Sequence, residues 1–406
     1  MPTKSAALEQ FEFRAPGRII TGLGCVQGLG KAAAQLGLSH VLLVTTPPLR
    51  DAGAEARVAT ILRDAGITVT SFPHIAAEPT TEDVEAAWEQ YQAAHADGVV
   101  GLGGGSVLDV AKGLAMRVHH PGPLSRYEGV ERFSGPRAPV VAISTTAGTG
   151  SEVTRYIALT DRARNVKMLL TSVRLIPDVA IDDPELTVTA PPQVTAAAGV
   201  DALTHAVEAY VSRRAQPLSD ALALNAIRLI AGWLPRAWAH GDDLPARAAV
   251  LDGALQAGLA FSNASVALVH GMARPLGAYF QIPHGLANAV LLPHVLAYSV
   301  EAAAPRYAAV ARALGAAGPD DDDHSAAQAA VTAISRLCRD VEVPSLTDLG
   351  VTAERLHEVA NAMAADALAS GSPAHNPRVP TPAEIVDLYE RALYPPDLDG
   401  RPQSSR

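Results

Sequence analysis

Cysteine is nearly missing from this chain: Cys25 and Cys338 are the only two in 406 residues. A pair that far apart builds no disulfide framework, and a chain of this length can bury a core that needs none. A reducing compartment, the cytoplasm, is therefore expected. Basic stripes are missing too. A formal net charge of −10 with no cluster of Lys and Arg argues against nucleic acid or an anionic membrane as partner. No apolar run reaches the roughly 18 residues that a membrane span needs, and residues 1–13 are too polar and acidic for a secretory signal. Aromatic residues are scarce, at 4%, while alanine is abundant, which favours a helix-rich protein. No internal repeat is visible.

The two halves of the chain differ in texture. Early on, β-branched runs (Val41–Thr45, Thr68–Ser71, Gly98–Leu102, Val140–Ser144) alternate with helical stretches (Ala54–Ala65, Val84–Ala94, Val107–Val118). That alternation predicts an α/β unit built on a mainly parallel sheet. From Thr187 onward, plausible strands are few. Leu218–Ala231, Ala246–Ala260, Pro305–Leu314 and Ser325–Asp340 read as helices. Thr189-Ala190-Pro191-Pro192 is a helix-start signal, a hydroxyl followed by proline. The expected division is 1–186, an α/β dinucleotide-binding domain, and 187–406, an all-helical metal-binding domain. The acidic run Asp320–Asp323 reads as a solvated loop between helices.

Gly103-Gly104-Gly105-Ser106 follows one predicted strand and opens a helix. Glycines allow the backbone to approach a pyrophosphate, and a helix start offers free N–H groups and partial positive charge. Ser106 is expected to cap this helix, with Asp109 three residues on as in a capping box. The pattern is not G-x-G-x-x-G, because Ser106 stands where the third glycine would fall. A second loop, Ser144 to Glu152, follows the strand Val140–Ile143 with hydroxyls at Thr145, Thr146 and Thr149. Open α/β sheets bind ligands at such strand ends.

Further along, Asp201 and His205 sit four residues apart, on one face of a helix. His270 and His284 each precede a glycine. One carboxylate and three imidazoles can hold a divalent transition metal and leave a position open for substrate. Each residue alone is more often structural. The remaining histidines, His119, His120, His240, His294 and His375 among them, have no comparable setting.

Together these motifs resemble the iron-containing (group III) alcohol dehydrogenase family. The resemblance runs roughly from Phe13 to Leu393, through Gly103–Ser106 with Asp109 and Lys112, Thr145–Glu152, Gly199–Tyr210 and Phe261–His294. It implies an N-terminal nucleotide-binding domain, a helical C-terminal domain, and an active site in the cleft between them. It also implies reversible hydride transfer between an alcohol and NAD or NADP, and a homodimer or larger assembly. Asp201, His205, His270 and His284 match the family's metal ligands, for Fe2+ first and Zn2+ as the alternative. Gly105, Ser106, Thr145, Thr146 and Lys167 match positions that contact the dinucleotide, beside Gly104, Asp109 and Thr149 in the same loops.

Two positions depart from the family pattern. Many members read His-Gly-Met-Ala-His, whereas this chain reads His270-Gly271-Met272-Ala273-Arg274. That removes a proton-relay imidazole and offers instead a guanidinium for an anionic substrate group. His270 and Arg274 are thus the residues expected at the chemistry itself. NAD-preferring members often carry aspartate where Thr46 stands, which leaves the choice between NAD and NADP open. The partner expected is a small alcohol or aldehyde. Alternatives are a maleylacetate-reductase-like enzyme, which works without this metal set, and a dehydroquinate-synthase-like cyclase.

Overall fold

A computed structural model of the chain describes residues 10–75, 78–164 and 166–395. By contacts the described chain forms two compact units. One comprises Arg14–Pro191 with Gly241–Ser262. The other comprises residues 10–13, Pro192–His240 and residues 263–395.

The first unit holds nine strands: β1 (Arg18–Thr21), β2 (His40–Val44), β3 (Thr68–Phe72), β4 (Gly98–Gly103), β5 (Gly129–Val130), β6 (Val140–Ser144), β7 (Tyr156–Asp161), β8 (Val166–Thr171) and β9 (Val179–Asp182). Its helices before Pro192 are α1 (Leu29–Gln35), α2 (Pro47–Asp51), α3 (Ala54–Asp64), α4 (Thr81–Ala93) and α5 (Gly105–Arg117). Six strands make a wholly parallel sheet in the order β1-β9-β6-β4-β2-β3. Alternate residues of β2 serve opposite faces, as the period of two demands. Leu42 and Val44 pack with Val84, Val107 and Leu114 of α4 and α5. Val41 and Leu43 pack with Leu29, Val58 and Leu62 of α1 and α3.

The chain runs from β2 out to the edge strand β3 and returns on the other side of β2 as β4. The strand order therefore reverses between β2 and β4, and such a switch point is where open α/β sheets receive ligands. A smaller sheet pairs β7 with β8 antiparallel and β8 with β5 parallel. In β7 and β8 the buried residues fall on one face only, and these strands escaped a sequence reading that looked for continuous apolar runs.

The remaining helices are α6 (Pro192–Val211), α7 (Pro217–Ala239), α8 (Leu244–Ala264), α9 (Leu268–Phe280), α10 (His284–Ser299), α11 (Ala304–Ala313), α12 (Asp323–Asp340), α13 (Ala353–Ala369) and α14 (Pro382–Arg391). Among the described residues no strand follows β9, as expected. Residues 241–262, most of α8, group by contacts with the α/β unit, although the sequence reading counted them with the helical half.

The stretch His284–Ala313 is long and apolar enough by composition to cross a membrane, with 61% of its window buried inside the protein. The sequence reading, which looked for an unbroken apolar run, found none there, because Asn288 and His294 interrupt it. Here α10 packs against α6, α9 and α12 as a core helix.

The acidic run is a helix cap. Asp322 accepts from the N–H groups of His324 and Ser325 at the start of α12, and Asp323 pairs with Arg312 at 3.1 Å. Cys25 and Cys338 are both free thiols, each pushed up to about 12 by burial.

Candidate metal centre and dinucleotide site

In the α/β unit, the ends of β2, β4 and β6 carry the predicted dinucleotide residues. Thr46 is the N-cap of α2, its hydroxyl accepting from Leu49 N–H. Next to it, Thr45 donates its hydroxyl to the carbonyl of Leu102 at 2.8 Å, tying β2 to β4. At α5 the structure corrects the sequence reading. The N-cap is Gly104, with no side-chain cap, and Ser106 lies inside the first turn. Asp109 forms no capping box: its carboxylate accepts from Ser151 Oγ at 2.6 Å and Ala158 N–H at 2.8 Å. Burial of the nearby Lys112 explains this. That lysine is fully enclosed, lies 3.2 Å from Asp109, and donates to the carbonyls of Ser151 and Tyr156. An enclosed ammonium is tolerated only with such partners, and Asp109 is the one with a charge.

The glycine and threonine loops touch. A Cβ on Gly104 would lie 3.1 Å from Thr146 Oγ1, and one on Gly105 would lie 2.8 Å from Thr149 Cγ2. Only glycine allows this approach, which leaves the start of α5 beside the hydroxyls of Thr146 and Thr149. Such a helix start suits a phosphate. Lys167, on β8, is paired with Glu78 at 3.0 Å.

In the helical unit, α6 places Asp201 and His205 one turn apart on a buried face. His270 is in the first turn of α9 and His284 begins α10. One ligand atom from each of Asp201, His270 and His284 lies within 4.8 Å of the others. His205 stands beside this trio, its ring stacked on that of His270 with centroids 4.5 Å apart and planes at 28°. The amide nitrogen of Asn288 reaches Asp201 Oδ1 at 2.6 Å, His270 Nε2 at 3.1 Å and His284 Nε2 at 3.2 Å. Three atoms thus present lone pairs to one point, and a carboxylate with imidazoles is a donor set that fits a divalent transition metal.

Electrostatics agree with that use. Burial alone would raise the Asp201 carboxyl, but His205, His284 and His270 and the Asn288 amide hold it below its usual value. Burial, with help from His205 and Arg274, keeps His270 well below the ordinary imidazole value. A neutral ring keeps a lone pair for an ion. Its Nδ1 lies 2.6 Å from Glu208, whose carboxyl burial pushes up to about 7 against the pull of the Ala267 and Val269 N–H groups. Arg274 is half-buried one turn beyond His270 on α9. The sequence reading missed Glu208 and Asn288. Their signals were spacing, seven residues after Asp201 and four after His284.

Residues 16–184 match the family described as iron-containing alcohol dehydrogenase, and residues 195–393 match the C-terminal domain of the same family. The chain belongs to the iron-containing alcohol dehydrogenase family. It is 40% identical over 386 residues to the 1,3-propanediol dehydrogenase of Citrobacter freundii, covering 94% of this chain and 99% of that one. It is 37% identical over 382 residues to the NAD-dependent methanol dehydrogenase of Bacillus methanolicus, with the same coverage. A crystal structure of 1,3-propanediol oxidoreductase superposes with a TM-score of 0.92 at 40% identity, over 95% of this chain and 100% of that one. Maleylacetate reductase from Agrobacterium tumefaciens stands further off, with a TM-score of 0.79 at 30% identity, over 95% of this chain and 98% of that one. As a member of this family of oxidoreductases the chain is an alcohol dehydrogenase, and the maleylacetate reductase alternative is the weaker likeness.

Proposed function

We propose that this alcohol dehydrogenase interconverts a small alcohol and its aldehyde or ketone with NAD or NADP, using one divalent metal held by Asp201, His205, His270 and His284. The convergence of Asp201, His270 and His284 on one point, with His205 stacked alongside, carries this reading. A bound ion, Fe2+ first and Zn2+ as the alternative, would act there as a Lewis acid on the substrate oxygen.

The chain's own residues do the positioning. Gly104, Gly105 and Ser106, with Thr145, Thr146 and Thr149, would hold the dinucleotide phosphates. Thr46 would stand near the adenosine end, and Lys167 would add positive charge from β8. Asp109 would serve the dinucleotide site by gripping Ser151 and so holding the second loop in place. Arg274 would receive an anionic group of the substrate. The relative in Bacillus methanolicus, described as NAD-dependent, supports NAD. Two free thiols support a reducing compartment such as the cytoplasm, and the family resemblance supports a homodimer or larger.

The test is to strip metal with a chelator, restore ferrous or zinc ion, and assay an aldehyde panel with NADH and NADPH. Activity should vanish and return, and Asp201→Ala and His270→Ala should lower metal content and activity together. Full activity in metal-free protein overturns the assignment.

A further inference from the structure

Four side chains of α6, Asp201, His205, Glu208 and Ser212 (the last just past the helix end), fall at i, i+4, i+7 and i+11 and so line one stripe. The first two belong to the proposed metal site. The other two grip the turn between α8 and α9. Ser212 Oγ donates to the carbonyl of Ala264 at 2.6 Å. Glu208, 2% exposed, takes three donors: Ala267 N–H at 2.9 Å and His270 Nδ1 at 2.6 Å on Oε2, and Val269 N–H at 2.6 Å on Oε1. The turn needs holding, since Ser265 sits at φ +67° and Ala267 at φ −129°, ψ −134°.

We propose that Glu208 is a positioning residue for the metal site, fixing the tautomer and the angle of the His270 ring; the inference rests on the metal-site reading above. A neutral imidazole has one N–H. With carboxylate oxygen 2.6 Å from Nδ1, the proton resides on Nδ1, and the Nε2 lone pair is left facing Asp201 Oδ1, 3.7 Å away. The two backbone bonds fix where the first turn of α9 begins, and so where the ring can swing. Carboxylate partners of this kind orient metal-bound histidines and raise their basicity.

An amide cannot replace the Glu208 carboxylate. If the amide introduced by Glu208→Gln turned its oxygen to His270, its NH2 would face the Val269 N–H, donor against donor. If it turned the other way, its NH2 would face Nδ1, the proton would move to Nε2, and the ligand would be lost.

The experiment compares zinc affinity, by chelator competition, in the full-length wild type, Glu208→Gln and Asp201→Ala, with melting of the metal-free proteins alongside. Glu208→Gln should bind about 10- to 100-fold more weakly, with a smaller change in metal-free melting than in the metal-induced rise. Histidine nitrogen NMR on the zinc-loaded wild type, assigned by loss of the signal in His270→Gln, should show an Nδ1-protonated His270 with a strongly downfield proton, and this needs no Glu208 variant to fold. Zinc affinity within twofold of wild type in Glu208→Gln, beside an Asp201→Ala that loses binding, overturns the role of Glu208 alone. So does an Nε2-protonated His270. An Asp201→Ala protein that binds zinc normally overturns the metal-site reading and this inference with it.

Discussion

A Cβ added to Gly150 would lie 2.6 Å from the Cα of Gly258. Gly150 lies in the threonine loop at φ +60° and Gly258 lies within α8. Two backbones meet there without side chains between them, and this joins residues 241–262 to the α/β unit. Alanine in a helix interior is normally favoured over glycine by about 1 kcal/mol. At Gly258 the new Cβ would meet Gly150 Cα and Val153 Cγ2, each at 2.9 Å. Gly258→Ala is expected to destabilise by about 1–3 kcal/mol through overpacking, and Gly150→Ala by more, since a left-handed φ adds about 1–2 kcal/mol. Thermal melting checks both, and a Gly258→Ala protein that melts higher than wild type refutes the close approach.

Cofactor choice should respond to Thr46. The hydroxyl caps α2, and aspartate caps a helix at least as well, so Thr46→Asp should leave the local structure intact. Its charge would oppose the 2′-phosphate of NADP. The expected outcome is a fall of roughly tenfold, about 1.4 kcal/mol, in kcat/KM with NADPH relative to NADH. An unchanged ratio would place the adenosine ribose elsewhere.

Arg274 offers a planar, fixed charge one helical turn from His270. Arg274→Ala should lose kcat/KM for carboxylated semialdehydes by about tenfold or more while sparing neutral aldehydes of similar size, and lysine should restore part of the loss, because it keeps the charge without the bidentate geometry. Equal losses on both substrate sets would reduce Arg274 to a structural cation.

Glu152, buried at the end of the threonine loop, gives a pH signature. Burial pushes its carboxyl up from 4.5 to about 7, against the pull of Lys112 and Ser144. Burial also raises Asp182, helped by the negative charges of Glu152 and Asp252. Between about pH 4.5 and 7 the folded protein keeps the Glu152 proton and the unfolded chain does not. Stability should therefore fall as pH rises through that window and level off above it, by at most about 3 kcal/mol. Glu152→Gln has no proton to release, so its melting temperature should gain on wild type between pH 5 and pH 8. Parallel pH profiles would show that Glu152 is ionised throughout.

Several of these features were legible in the residues themselves. Buried β-branched runs and the period-3.6 pattern located β2, β3, β4 and β6 and the helices between them to within a few residues, because such segments leave strong local signals, while β1 and β9 of the same sheet were missed. The metal residues could be grouped from their chemistry, but only the family resemblance singled them out from the other histidines, since a histidine beside a glycine says little alone. Ser106 and Asp109 were misread because capping boxes look local on paper, while Asp109 answers to an enclosed lysine and a hairpin strand more than forty residues away.

By itself the sequence determined four strands of the parallel sheet and the helices between them, that Asp201 and His205 share a helix face, and that glycines precede α5. Local spacing and backbone sterics suffice for such statements. Tertiary structure alone decided that His270 and His284 come to the same point as Asp201, that Glu208 reaches across to His270, and that Gly150 touches Gly258. Each of these joins residues far apart in the chain, and such pairings follow from how helices pack rather than from any one segment's own preference.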